Sequence, residues 1–430
     1  MKRFLTAIQA RIVDAKPAEM RALWLGFAFH FLILTGYYIM RPIRDSIAAG
    51  NRLETLPWMF TATLGAMVIA NALFAAVVAR MSRRKFIPLA YAFFIFNLAL
   101  FFVLMRTGSP EQQVWIGRAL YVWVSVFNLF NTAIFWAFMT DLFTVEQGKR
   151  LYGFIAVGGS LGGVLGASIT ARYVQNIGPA NLLAISAVIF ALGATLVQFF
   201  PSNFTDRNKP VKAGGEQPIG GSIWSGLTHI FRSPYLLGLA GSMLLYTTTS
   251  TWAYLQQSDL TRSAFADSAT RTIFLAHLDI WVNSITVLIQ IFLTGRLLKW
   301  FGVGFTLVSL PFISMIGFGA MGVATSLAVL AVFQVARRVA AYALMRPSRE
   351  ILFTVLKRED KYKVKSVTDT LGYRTGDQLG VWSYTGASAL GLSLSSISFI
   401  AVPVLAGWCI LSLWLGKKQI ALAAKQDARS

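Results

Sequence analysis

The chain has 430 residues, of which 56% are hydrophobic and 13% charged, and its mean hydropathy is +0.59. That balance lies outside the range of water-soluble domains and defines a polytopic membrane protein. The formal charge of +21 is scattered among short connections, which argues against a nucleic-acid surface and fits topology signals facing anionic lipid.

In chain order, a basic start (Lys2, Arg3, Arg11, Lys16, Arg21) precedes the apolar run from Ala22 to Met40. No small-x-small cleavage site follows it, so it is expected to persist as the first membrane helix. Further runs long enough to cross about 30 Å of hydrocarbon lie at 57–79, 86–105, 114–138, 154–174 and 181–200. A stretch rich in Pro, Gly, Ser and charge then intervenes at 201–234, with the composition of a linker. Apolar runs resume at 235–254, 273–295, 305–323, 326–345, 373–394 and 397–415. The predicted fold is all-α and integral to the membrane, with about twelve transmembrane helices in two six-helix halves. Residues 1–200 form the N-terminal bundle, 201–234 a cytoplasmic linker, and 235–430 the C-terminal bundle with its basic tail.

Lysine and arginine collect at alternate connections: the N-terminus, Arg80 to Lys85, Lys149-Arg150, the linker, Arg296 to Lys299, Lys357 to Lys365, and Lys417-Lys418. Both termini are therefore expected in the cytoplasm. The halves echo each other, with Ala79-Arg80-Met81-Ser82-Arg83-Arg84-Lys85-Phe86 after the second span and Gly295-Arg296-Leu297-Leu298-Lys299-Trp300-Phe301-Gly302 after the eighth. Two parallel six-helix halves with short basic turns at those places resemble the major facilitator architecture. That resemblance implies a central cavity whose opening alternates by rocking of one half on the other.

Ionisable residues inside apolar spans are expensive and mark function or anchoring. Two similar segments stand out, Tyr38-Ile39-Met40-Arg41-Pro42-Ile43-Arg44-Asp45 and Ala343-Leu344-Met345-Arg346-Pro347-Ser348-Arg349-Glu350. On a continuous helix Arg41 faces Asp45 and Arg346 faces Glu350, leaving Arg44 and Arg349 as uncompensated donors for an anion. Each proline removes a backbone N–H, so a break is expected there. The bland alternative is a pair of interfacial anchors. A third cluster runs through Lys365, Asp369, Arg374 and Asp377, entering the eleventh span. Asp279 in the eighth span is a candidate for proton coupling or for an ion pair with the other half. Asp141, Lys149 and Arg150 are expected to oppose Glu359 to Lys365 as an intracellular salt-bridge gate, with solvated loops as the alternative.

The glycine-rich run Gly158-Gly159-Ser160-Leu161-Gly162-Gly163-Val164-Leu165-Gly166 follows no strand and lacks Gly-Lys-Ser/Thr, so it reads as a close helix contact and not a phosphate loop. Three scattered histidines (His30, His229, His277) and the single Cys409 offer no metal site, no disulfide and no implied cofactor. No nucleophile, base and orienter recur at usable spacing, so an enzyme is not expected.

Three blocks carry a more specific likeness: Arg41-Pro42-Ile43-Arg44-Asp45; Phe135-Trp136 with Lys149-Arg150-Leu151-Tyr152-Gly153; and Arg337-Arg338 through Arg349-Glu350-Ile351-Leu352-Phe353-Thr354 to Lys363-Val364-Lys365-Ser366-Val367-Thr368-Asp369 and Arg374-Thr375-Gly376. Together they resemble the ATP:ADP antiporter (nucleotide transporter) family, and most of all its free-living bacterial branch of NTP/NDP exchangers. The resemblance implies a bacterial inner-membrane carrier for a nucleotide or other phosphorylated anion, with basic residues at Arg44 and Arg374 handling the substrate. Substrate contacts are expected from Arg41, Arg44, Asp45, Arg346, Arg349, Glu350, Arg374 and Asp377, with guanidinium groups of the two halves converging on one aqueous pocket. Coupling or gating is expected from Asp141, Lys149, Arg150, Asp279, Lys365 and Asp369. The family's acids in the fourth and seventh spans are missing here, where the sequence reads Trp123-Val124-Ser125-Val126-Phe127-Asn128 and Tyr254-Leu255-Gln256-Gln257. A transporter of another organic anion or of an anionic lipid is the alternative, and a non-transporting sensor or scaffold a third reading.

Overall fold

The computed structural model describes residues 15–78, 83–200, 233–356, 364–365 and 367–427. The basic start through Arg11, Arg80 to Ser82, linker residues 201–232 with His229, and Lys357 to Lys363 with Glu359 lie outside the described residues, as does the side chain of Lys149. Among the described residues every regular element is helical.

The first five helices are α1 (Met20–Gly50), α2 (Leu56–Val78), α3 (Arg83–Thr107), α4 (Pro110–Leu142) and α5 (Val145–Leu196). α5 holds two crossings in one run: Gly178 takes the left-handed conformation (φ 78°), which only glycine adopts at little cost, and Pro179 restarts the helix with its preset φ. The next are α6 (Pro234–Ala264), α7 (Ser268–Phe292), α8 (Thr294–Val323), α9 (Leu327–Ala340) and α10 (Arg346–Leu352), then α11 (Tyr373–Ala389) and α12 (Leu394–Asp427). π-helical turns at Ala341–Met345 and Thr368–Gly372 lead into α10 and α11. With α5 counted twice and α9 through α10 once, the chain makes about a dozen crossings.

The starts of α4 and α5 are fixed locally. Ser109 and Thr144 each accept the backbone N–H three residues on, while Gln112 and Gln147 reach back to the cap's own N–H at 2.9 Å.

The chain forms two compact units: Met1–Ala48, Ala62–Gly215 and Asp267–Ser284 in one, and Ala49–Thr61, Glu216–Ala266 and Ile285–Ser430 in the other. Each unit thus takes a short stretch from the other sequence half. Unit 1 has an aromatic core in which Phe29, Tyr91, Phe127, Phe135 and Phe190 are fully buried. The fully buried phenol of Tyr91 is satisfied, donating to Asn131 Oδ1 at 2.9 Å. Unit 2 is centred on buried Trp408, Phe318 and Phe353; Trp408 Nε1 donates to Ser242 Oγ at 2.9 Å and Tyr235 to the Leu352 carbonyl at 2.8 Å. Ile69, Phe96, Val188, Phe305 and Ile410 are exposed, as lipid-facing side chains must be.

The two expected proline breaks resolve differently. α1 runs unbroken through Pro42, and hydroxyls of α5 cover neighbouring carbonyls: Ser186 donates to Gly36 and Thr170 to Ile39, at 2.8 and 3.0 Å. The break expected there is absent. At Pro347 the preceding turn widens to π, and the carbonyls it loosens are taken up by side chains, Thr294 donating to Ala343 (2.9 Å) and Gln290 to Tyr342 (3.4 Å).

The glycine run of α5 lies against α1. A methyl group at position 158 would sit 2.6 Å from the Phe27 carbonyl oxygen, and those at 162 and 166 would strike the carbonyls of Phe31 and Thr35. Because these obstacles are backbone, the two helices must separate to admit any side chain. Gly162→Ala should therefore cost about 1–3 kcal/mol, seen as a lower melting temperature in detergent. Gly153→Ala, in the same helix with nothing within 4 Å, should cost nothing and leave only the gain in helix propensity, up to about 1 kcal/mol.

Candidate functional site

In unit 1 the charged centre is built by α1 and α7. Arg44 grips Asp45 through Nε and Nη2, at 2.9 and 2.6 Å to the same carboxylate oxygen. Asp45 turns its second oxygen toward Arg41 Nε at 3.8 Å, and Arg41 Nη1 lies 3.4 Å from Asp279. Arg41 also donates to the Tyr38 hydroxyl at 3.3 Å, and Arg44 lies over the Tyr121 ring. Arg44 was expected to be uncompensated; it is ion-paired. The helix continues past Pro42, and a long arginine stem reaches the short carboxylate next to it. Asp279 of α7 is thus a further acid partner of Arg41, one that spacing along α1 could not supply. It is buried, as is Asn283, whose amide donates to the Asp279 carbonyl. Ser46 donates to the Ser268 carbonyl, so the first turn of α7 is tied to α1 as well.

His30 is a packing residue: it stacks on Phe135 at 4.2 Å and donates from Nδ1 to the Ile155 carbonyl at 2.9 Å. Arg150 is held by buried Glu19 at 2.9 Å, and Gln147 donates to the same oxygen. The sequence reading did not foresee that partner. Asp141 is exposed.

In unit 2 two charged groups separate. The first joins α10 to the start of α11: Arg349 pairs with Asp369 at 2.9 Å, and Lys365 with Glu350. Arg349, expected to be uncompensated, is therefore neutralised as well, because the π turn at 368–372 brings Asp369 to it. Burial pushes the Asp369 carboxyl up from its ordinary range, against the pull of Arg349 and Lys365. Arg346 is exposed and stacks over Tyr342 at 4.5 Å.

The second group lies where α6 meets α11. These two crossings are absent from the nine described stretches long and apolar enough to span a membrane unaided, and they pack on each other. α6 carries five consecutive hydroxyls, Thr247 to Thr251. Thr248 donates to the Gly376 carbonyl at 3.2 Å and Thr251 to Asp377 at 3.4 Å, while Arg374 pairs with Asp377 at 2.9 Å. The pairing of Arg374 is local, three residues along one helix. Glycine permits the approach: a methyl at 380 would lie 2.7 Å from Thr251 Cβ and 2.9 Å from the Thr248 carbonyl oxygen. Gln256, in the stretch that departs from the nucleotide-carrier pattern, is buried and donates to Ser398 at 2.8 Å.

Beside this pair stands Arg337 of α9, buried, donating to Ser250 Oγ at 2.8 Å and to Gln334 Oε1 at 3.4 Å. In the sequence Arg337-Arg338 belong to the block that resembles the nucleotide transporters. Two adjacent guanidinium groups in the middle of an apolar span were signal enough to single them out. Among the described residues no three metal-ligating side chains come together.

The architecture and these buried charges define a membrane transporter. Residues 20–352 match the Major Facilitator Superfamily, and the chain belongs to that family, whose members move small molecules across membranes as secondary active carriers. ADP,ATP carrier protein 1 of Chlamydia pneumoniae is 19% identical over 95% of this chain and 93% of its own length. ADP,ATP carrier protein 1, chloroplastic, of Arabidopsis thaliana is 21% identical over 89% of this chain and 71% of its own. Among solved structures, the nucleoside transporter NupG shares the fold with a TM-score of 0.58 at 12% identity, covering 93% of this chain and 98% of that one. A bacterial homolog of the human lysosomal transporter Spinster, in an inward-facing and unoccupied conformation, gives a TM-score of 0.54 at 14% identity over 95% and 98%.

Proposed function

We propose that this protein is a secondary transporter of a phosphate-bearing anion, a nucleotide exchanged for another nucleotide, working by alternating access in a bacterial cytoplasmic membrane with both termini inside. The observation that carries the reading is a set of guanidinium groups, Arg41, Arg44 and Arg337 within long apolar helices and Arg374 at the start of α11, in a chain similar over 89–95% of its length to ADP,ATP carriers. Guanidinium matches phosphate oxygens with paired N–H bonds, and the low dielectric of the surroundings strengthens that match.

The ion pairs refine the roles. Arg41 with Asp279, and Arg44 with Asp45, are ion pairs in unit 1 suited to exchanging partners when an anion arrives. Arg374 with Asp377 is the corresponding set in unit 2. Lys365 with Glu350 and Arg349 with Asp369 fix the entry to α11 and belong to gating. A second reading, carriage of another organic anion or an anionic lipid, draws on the neutral Gln256 and Gln257 where the nucleotide exchangers carry acid.

Proteoliposomes preloaded with unlabelled ADP should take up labelled ATP and ADP, and empty ones should not. Arg374→Ala and Arg44→Ala should each slow uptake about tenfold or more, the scale of one lost charge-assisted contact. Absence of nucleotide uptake under any preload would remove the nucleotide reading and leave the second one.

A further inference from the structure

Arg337 is the tenth residue after Leu327, the start of a 26-residue apolar span. At 1.5 Å per residue that places it about 15 Å along the helix, half of the roughly 30 Å hydrocarbon thickness. It is 8% exposed. Its hydrogen-bond partners are Ser250 and Gln334, with no carboxylate among them, and Arg338 adjoins it in the chain. This contrasts with Arg41, Arg44, Arg349 and Arg374, each of which has an acid within 4 Å. A buried arginine without an acid is costly to keep, and two like charges side by side raise the cost.

The hydrogen bonds of Arg337 are lopsided. Nη1 is taken by Ser250, Nη2 makes only the long contact to Gln334, and Nε is buried with no acceptor. The edge formed by Nε and Nη2 presents two parallel N–H bonds, the geometry that grips two oxygens of one phosphate or carboxylate. A hydroxyl from the Thr247 to Thr251 run stands on the opposite edge and holds the guanidinium in register.

We infer that Arg337 is the phosphoryl-binding residue of unit 2, its Nε–Nη2 edge receiving two oxygens of a substrate phosphate and Ser250 fixing its orientation. This deepens the transport reading above and rests on it for the identity of the anion, while the binding chemistry stands by itself. The same edge would accept the phosphate of a nucleotide or of a lipid headgroup.

Thermal unfolding of the full-length protein in detergent tests it, with inorganic pyrophosphate, ADP and phosphatidylglycerol as separate additions. A ligand of the folded state raises the melting temperature as its concentration passes the dissociation constant. Pyrophosphate should stabilise wild type and leave Arg337→Met unmoved. Arg337→Lys, which keeps the charge and loses the paired edge, should need about tenfold more pyrophosphate, and it decides the matter alone if the methionine variant does not fold. Wild type unmoved by pyrophosphate, ADP and phosphatidylglycerol, or variants stabilised like wild type, would overturn the assignment. Stabilisation by ADP identifies a nucleotide source and stabilisation by phosphatidylglycerol alone a lipid source, both through the same arginine. Pyrophosphate binding that requires Arg337 in a protein that takes up no nucleotide would sink the nucleotide reading and keep this site.

Discussion

Asp279→Ala should destabilise the folded protein by about 3 kcal/mol, and adding Arg41→Ala should recover most of that loss. Asp279 is 2% exposed and its carboxylate stands 3.4 Å from Arg41. Removing it takes from Arg41 the nearer of its two carboxylates, at 3.4 Å against 3.8 Å for Asp45, in a buried place. Breaking a buried pair from one side costs about 3–5 kcal/mol, mostly because the remaining charge is stranded. Removing both members strands nothing. Melting temperatures of the two single variants and the double variant form the cycle, and simple additivity would show that the pair is not coupled. Nucleotide exchange by the double variant is the second readout. A folded double variant that has lost exchange would separate the pair's transport role from its role in stability.

Gly380→Ala should destabilise the packing of α11 on α6 and should abolish transport. Its methyl group would meet the Thr248 carbonyl oxygen at 2.9 Å and Thr251 Cβ at 2.7 Å, neither of which can rotate aside. α11 would be pushed from α6, breaking the Thr248 bond to Gly376 and the Thr251 bond to Asp377. Overpacking of this kind costs about 1–3 kcal/mol, and the displaced hydroxyls add their own loss. Gly386→Ala is the matched control: it lies in the same helix with nothing within 4 Å, so only the gain in helix propensity remains, up to about 1 kcal/mol in favour of alanine. Equal melting temperatures and equal exchange for the two variants would show that the α6 to α11 approach carries no weight.

Much of the fold was legible in the chain because hydrocarbon imposes a simple rule: every backbone polar group must be paired inside the segment, so a long apolar run is a helix. Length and hydropathy alone therefore determined an all-α membrane protein with about a dozen crossings. The glycine run of α5 also declared its purpose, since spacing by four puts Gly158, Gly162 and Gly166 on one face. Charge pairing was not legible. The sequence assigned Asp45 to Arg41 and Glu350 to Arg346 by helical spacing, which left Arg44 and Arg349 open. Tertiary structure gave Arg44 the carboxylate beside it, gave Arg41 a share of Asp279 from more than two hundred residues away, and closed Arg349 with Asp369 through a π turn. Arg337, whose hydrogen bonds go to a hydroxyl and an amide with no carboxylate between them, is a residue that spacing rules passed over. Hydropathy is a local sum that a linear chain reveals, whereas the partner of a buried charge depends on which helix face packs beside it, and that is decided only when the helices come together.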